Sequence, residues 1–270
     1  MASISTFTIL WTIVDFTDSY LNKSGIKNWE PPSWILLVCI SIIVAIFKSY
    51  PRLKRTIKLG SNTDITITIK VGNMFKVKNS TVIIPMNSCF KHDHVPSSSI
   101  QVQYREQFFS NGNHFTREIN NKIKDMPSYP TVIKGTTVKS YEIGTTIKLG
   151  SENTNNKPSY LITTTKLNKE GRAIPDTSDL LIAYNSLWNY IAENGDRSPL
   201  VTAVIGSGKS NTNRVELIHL LVNSFIESIK THNIKFTESL TICISPKSFA
   251  THEYSLDELE QYIQHVCKYR

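Results

Sequence analysis

The sequence predicts an α/β fold, a sheet covered by helices on both faces, preceded by a pair of apolar N-terminal helices. Three observations predict it. From Ile57 onward, strand-like and helix-like patterns alternate along the chain, the arrangement that buries a sheet between helical layers. Two apolar runs, TVIIPMNSCF from Thr81 and VIGSGKSNTNR from Val204, pass straight into small-residue polar loops. The chain also begins with two apolar stretches. Its 270 residues leave room for one large domain with a substantial core.

The N-terminal stretches come first. Trp34 to Phe47, WILLVCISIIVAIF, carries no charge. As a helix it is about 21 Å long, short of the roughly 30 Å hydrocarbon layer. Its flanks extend the reach: Trp29 and Trp34 suit one interface, and Lys48, Tyr50 and Arg52 can snorkel at the other. The earlier stretch, Ile4 to Tyr20, is interrupted by Asp15 and Asp18. Gly25 and the Pro31-Pro32 pair between them suit a turn joining antiparallel helices. A buried core hairpin is the alternative reading of such short apolar runs. Charge favours the membrane: Lys48, Arg52, Lys54, Arg55 and Lys58 follow the second stretch, and the positive-inside rule then sets both termini in the cytoplasm. The expected organisation is two transmembrane helices over residues 1–50, a basic juxtamembrane linker over 51–63 and a nucleotide-binding domain over 64–270.

In the remainder, Ile65, Ile67, Ile69 and Val71 alternate with polar residues, as in a half-buried strand. Thr81 to Pro85 is a continuous apolar run, the pattern of a fully buried parallel strand. Residues His92 to Pro130 are polar and irregular, with a helix near Phe115 to Ile123. Val138 to Leu149 and Ser159 to Thr165 read as strands around a polar linker. A helix starts near Thr177 or Ser178 and stops at Gly195. The strand Leu200 to Ile205 follows, then a helix with Val215, Ile218, Val222, Phe225 and Ile229 on one face, and the strand Leu240 to Ile244. Ser255 and Glu258 form a capping box before the last helix.

Composition narrows the partners. A net charge of +8 suits lipid headgroups or a polyanionic small ligand. The chain has no aromatic–basic interleaving and no nucleic-acid module. The four cysteines are scattered without C-x-x-C spacing, which argues for a reducing compartment and against a zinc or disulfide framework. Cys89, His92 and His94 cluster, but a metal site wants further ligands that the sequence does not offer.

The loop after Val204 carries the main chemical signal. Gly206 and Gly208 allow backbone N–H groups to approach an anion, Ser207 and Ser210 add hydroxyls, and the following helix presents its positive end. Lys209 adds a point charge and Asn211 closes the loop. Gly208-Lys209-Ser210 also invites a P-loop ATPase reading. The first glycine of that pattern is replaced by Ala203, and LTICIS at Leu240 to Ser245 offers no Walker B acid. A turn with no ligand is the plain alternative.

Taken in order, these segments resemble a macro domain, the fold that binds ADP-ribose. ITIKVGNMFKVKNSTVIIPMNS is similar to the family's opening, with Gly72-Asn73-Met74 in place of its Gly-Asp-Ile turn and Asn87 in place of its asparagine. IGSGKSN resembles the later loop that wraps the diphosphate. The likeness runs from about Ile57 to Lys268 and implies a mixed sheet with helices on both faces. A closer resemblance is to bacterial membrane-linked macro proteins with two N-terminal spans. Tyr141 to Thr146, YEIGTT, and the helix around Leu187-Trp188 look like landmarks of that group, which includes the effectors of type II Thoeris antiphage systems.

The resemblance implies an inner-membrane, multi-pass effector whose cytoplasmic domain binds an ADP-ribose derivative such as histidine-ADP-ribose. A TIR-domain partner would make that signal, and binding would trigger homo-oligomerisation, membrane disruption and abortive infection. The implied ligand contacts are Asn73, Met74, Asn87, Ser88, Cys89, Phe90, Gly144, Thr145 and Gly206 to Asn211, with no cofactor, metal or catalytic residue. Asn73 stands where macro domains keep an aspartate for the adenine amino group, and its carbonyl can still accept. SCFKHDHVPSSS replaces the glycine-rich segment of hydrolytic macro domains, which favours binding over a membrane-tethered ADP-ribosyl hydrolase.

Overall fold

The computed structural model describes residues 8, 11, 12, 15, 39–44, 52–60, 64–91, 95–109, 112–150, 157–208, 212–232, 234–251 and 254–269. The chain divides into two units, Met1–Arg52 and Leu53–Arg270. In the first, residues 39–44 are helical. Among the described residues no helix is long and apolar enough to cross a membrane. The expected spans, Ile4 to Tyr20 and Trp34 to Phe47, fall largely outside the described residues.

The second unit is built on an eight-stranded sheet of order β1-β2-β10-β9-β3-β7-β6, with β8 paired to β7. Strand β1 (Lys54–Lys58) pairs antiparallel with β2 (Thr66–Val71). From β2 the strands β10 (Ser239–Ile244), β9 (Leu200–Ala203), β3 (Thr81–Asn87) and β7 (Ser159–Leu167) run parallel. Strands β6 (Thr146–Leu149) and β8 (Ala173–Ile174) return antiparallel against β7. The sheet is therefore mixed, with its parallel strands in the middle. A separate hairpin joins β4 (Tyr129–Ile133) to β5 (Thr136–Ser140).

Helices cover both faces. On one side lie α3 (Thr177–Asn194), α4 (Arg214–His232) and α6 (Leu256–Tyr269), whose Trp188, Phe225 and Ile263 bury against Ile67, Ile83 and Ile242 of the sheet. On the other lie α1 (Ile100–Phe108) and α2 (Gly112–Ile123), where Tyr104, Phe109 and Phe115 pack on Val82, Ile84 and Leu161. Successive strand residues point to opposite faces, so a strand covered twice reads as an unbroken apolar run. That is why TVII in β3 is wholly buried. The short α5 (Pro246–Ala250) is capped by Ser245.

Several expectations are corrected by the chain's path. The run Val138 to Leu149 is two strands, because the segment between them turns at Gly144, whose φ is +91°. The polar stretch before Pro130 holds α1 as well as the expected helix, and it ends in β4. Strand β1 lies within 51–63, the stretch read as a linker; Ile57 turns inward to the core while its neighbours Thr56 and Lys58 are exposed. Strand β2 is buried at Thr68 as well as at Ile67 and Ile69, so it is more than half-buried.

Candidate functional site

The site follows from where β3 and β9 part. The chain leaving β9 travels through α4 to β10 on one side, and the chain leaving β3 reaches β7 on the other. Adjacent parallel strands whose connections diverge leave a crevice at their carboxyl ends. Pairing between them is limited to Thr81 with Leu200 and Val82 with Val201. Beyond Val82 the strands separate, and Pro85 lies in the separated stretch with no N–H to leave unpaired. A cleft of about 620 Å³ opens there, within the usual range for small-molecule sites.

The floor is apolar, formed by Met86, Leu180, Ile205 and Leu217. Asn87 of β3 and Gln101 of α1 are among the cleft's polar lining residues. Gly206 and the first turn of α3 also line it, and Asp176 caps that helix by accepting from Ser178 N at 2.8 Å. The outer wall is the turn between β7 and β8, Glu170 to Ala173, joined by Lys134 from the β4–β5 turn. The two turns are tied by Lys134 N donating to Lys169 O at 2.7 Å. Charges of both signs therefore line the cleft: Lys134 and Arg172, Glu170 and Asp176. Further along β7, Lys166 Nζ pairs with the largely buried Asp179 at 3.1 Å, and this hydrogen bond raises the lysine pKa.

Of the sequence-predicted contacts, Asn87 and Gly206 line this cleft together. Asn87 is nine-tenths buried. Its Oδ1 accepts from Cys89 N at 3.1 Å and Lys91 N at 3.2 Å, and its Nδ2 donates to Lys91 O. The side chain thus shapes the turn that follows β3. Ser88 and Cys89 are buried in that turn: Ser88 N donates to Thr165 O at 2.8 Å, and Ser140 donates to Ser88 Oγ at 3.0 Å. Phe90 has φ +51° and meets Tyr141 edge-on with centroids 5.5 Å apart, so it packs in the core. None of Ser88, Cys89 and Phe90 lines the cleft.

On the second loop Gly206 has φ +87°, and a Cβ there would approach the Leu217 side chain to 3.3 Å. Ser207 turns its hydroxyl back onto Val204 O at 2.7 Å. Gly208 stands in open space. Lys209, Ser210 and Asn211 lie outside the described residues, as do His92 and His94. Asn213 caps α4 by accepting from Val215 N at 2.9 Å.

The other predicted contacts sit elsewhere. Asn73 follows β2, which β10 and β9 separate from β3, and its Oδ1 caps a short 3₁₀ turn by accepting from Phe75 N at 2.8 Å. Met74 is core. Gly144 and Thr145 turn between β5 and β6, where Thr145 bonds Glu142 O at 2.8 Å. Sequence reasoning missed Gln101, Lys134, Arg172 and Asp176. The glycines of Lys134-Gly135 and Glu170-Gly171 marked turns, but nothing local showed that the two turns meet.

A mixed sheet with this cleft defines a macrodomain-type α/β fold. The Oceanobacillus iheyensis macrodomain with MES bound superposes with a TM-score of 0.52 at 10% identity, over 78% of this chain and 97% of that one. The same macrodomain with ADP gives 0.52 at 10% identity, over 77% and 98%. A mutant of it with ADPR gives 0.53 at 12% identity, over 80% and 100%. At such identities the likeness is one of fold. The family described as "Thoeris protein ThsA, Macro domain" matches residues 67–245, well over half of the chain, and the chain belongs to that family. No curated protein matches it.

Proposed function

We propose that the cleft between β3 and β9 binds an ADP-ribose-derived ligand and that the protein acts as a receptor. The observation that carries this is the meeting of Asn87 and Gly206 in one crevice at the switch point of a Thoeris-family macro domain. The mixed charge of the wall suits a ligand with both a diphosphate and polar ends. Structures similar to this one include a macrodomain with ADP and one with ADPR. Replacement of the glycine-rich segment by SCFKHDHVPSSS favours binding over hydrolysis.

In the fuller reading the protein is an antiphage effector. A TIR-domain enzyme supplies the signal, the liganded domain self-associates, and the apolar N-terminal stretches disrupt the bacterial inner membrane. The basic run after Phe47 supports this orientation. A ligand shifts such an assembly only by its differential affinity for the two states. The test is calorimetric titration of the full-length chain in detergent with ADP-ribose and histidine-ADP-ribose, followed by sedimentation. Saturable binding with a shift to larger species is expected. No binding at millimolar ligand overturns the reading.

A further inference from the structure

The β4–β5 hairpin shares no ladder with the main sheet. A two-stranded hairpin is marginally stable alone, so its place depends on what fastens it. At its base Ser140 donates to Ser88 Oγ at 3.0 Å, and Tyr141 N donates to Ser88 O at 2.7 Å. Ser88 follows Asn87, a lining residue of the cleft. At its tip Lys134 N donates to Lys169 O at 2.7 Å, on the turn between β7 and β8. Gly171 of that turn also lines the cleft, and a Cβ on it would meet Ile133 Cγ2 at 3.2 Å and Lys134 Cε at 3.4 Å. The glycine lets the tip close onto the turn. The hairpin thus straps the turn after β3 to the turn after β7.

The tip is built in an unusual way. Ile133 pairs with Thr136, which leaves a two-residue loop, Lys134-Gly135, with φ of +51° and +76°. Two positive φ values suit a tight hairpin turn, but asparagine, aspartate or glycine ordinarily takes the first position. A lysine there is strained, and such a conformation persists where its surroundings hold it. Here the Lys169 carbonyl and the space over Gly171 hold it. Lys134 itself lines the cleft, and its ammonium is one bond beyond the Cε that rests by Gly171. An element outside the main sheet therefore carries a cation to the cleft.

We infer that Lys134 is a specificity-determining residue that donates to an anionic oxygen of the ligand, and that Ile133 is a positioning residue that keeps the hairpin tip on the β7–β8 turn. Ile133 does not line the cleft, so it acts through the tip. The assignment rests on the ADP-ribose reading above and adds to it a salt-sensitive contact made by the hairpin.

The test is calorimetry with ADP-ribose on the full-length chain in detergent, at low and at high salt. Lys134→Met is expected to bind about three- to tenfold more weakly at low salt, with the difference shrinking at high salt. Lys139→Met, on the same hairpin but not lining the cleft, is expected to bind as wild type does. Ile133→Ala is expected to weaken binding in the wild-type background and to add little in Lys134→Met, because it acts through the lysine. Ile133→Val keeps a methyl against Gly171 and should restore affinity, which also covers the case in which alanine loosens the fold. Wild-type affinity in Lys134→Met, or equal weakening in Lys139→Met, overturns the assignment of Lys134. A loss of the same size from Ile133→Ala in both backgrounds overturns its positioning role. Failure of wild-type protein to bind ADP-ribose overturns the functional reading, and this assignment with it.

Discussion

Gly144 lies so close to Ser186 that a Cβ on the glycine would fall 2.5 Å from the serine Oγ. The contact seats the turn between β5 and β6 against the middle of α3, and the backbone at Gly144 has φ +91°. Gly144→Ala therefore faces both a strained backbone and an overlap, at a combined cost of about 2–4 kcal/mol. Ser186→Gly in the same chain should recover the overlap and leave the backbone strain. Urea unfolding of the single and double variants checks this. A single variant as stable as wild type would show that α3 moves aside freely.

A second pair of variants should change stability in opposite directions. Tyr184 is wholly buried, and its hydroxyl has no partner among the described residues. Its neighbour Trp188 does have one, with Nε1 donating to Ser224 Oγ at 3.1 Å across α3 and α4. Tyr184→Phe removes an unsatisfied group and should be neutral or stabilising by about 1 kcal/mol, whereas Ser224→Ala strands the indole N–H and should cost about 1–3 kcal/mol. Thermal melts decide it, and a destabilised Tyr184→Phe would reveal a partner for that hydroxyl.

Acid stability should carry the mark of Asp196. Burial pushes its pKa up, but hydrogen bonds from Ser198 and the ion pair with Lys148 outweigh burial and hold it down at about 2. A depressed carboxylate stabilises the fold above its ordinary value of 3.8 and loses that contribution as pH falls through about 2. The side chain is half exposed, so the effect is about 1 kcal/mol or less. Asp196→Asn should flatten the acid limb of stability against pH between those values and leave its shape above pH 5 unchanged.

Gly206→Val should weaken ADP-ribose binding by about tenfold or more. The residue lines the cleft at φ +87°, where a β-branched side chain is strained by about 1–3 kcal/mol, and Leu217 is already within contact of the new Cβ. Full affinity in this variant would remove the second loop from the site.

The sequence made the strands legible and left their pairing obscure. Thr81 to Pro85 reads as a buried parallel strand because both of its faces must be apolar. Nothing local says that it joins β9 for only Thr81 and Val82, and that early parting is what opens the cleft. Gly206 was legible because its composition announces a backbone turn. Gln101 was not, because one of three glutamines on a short, weakly amphipathic helix looks like a solvent residue. Its tie to the turn after β3, through Nε2 donating to Lys91 O at 3.0 Å, is not visible in spacing. Asn87 was found for its position, but its work in shaping that turn depends on hydrogen bonds that spacing cannot predict. The break at Gly144 was marked by the glycine itself, inside what otherwise scanned as one long strand.

The cleft is bordered by segments from distant parts of the chain, with β3 and β9 as immediate neighbours in the finished sheet. During synthesis the two halves emerge far apart in time, so an incomplete chain has no cleft. Only a molecule that has finished assembling its sheet presents this crevice, so nascent or truncated copies lack the site altogether.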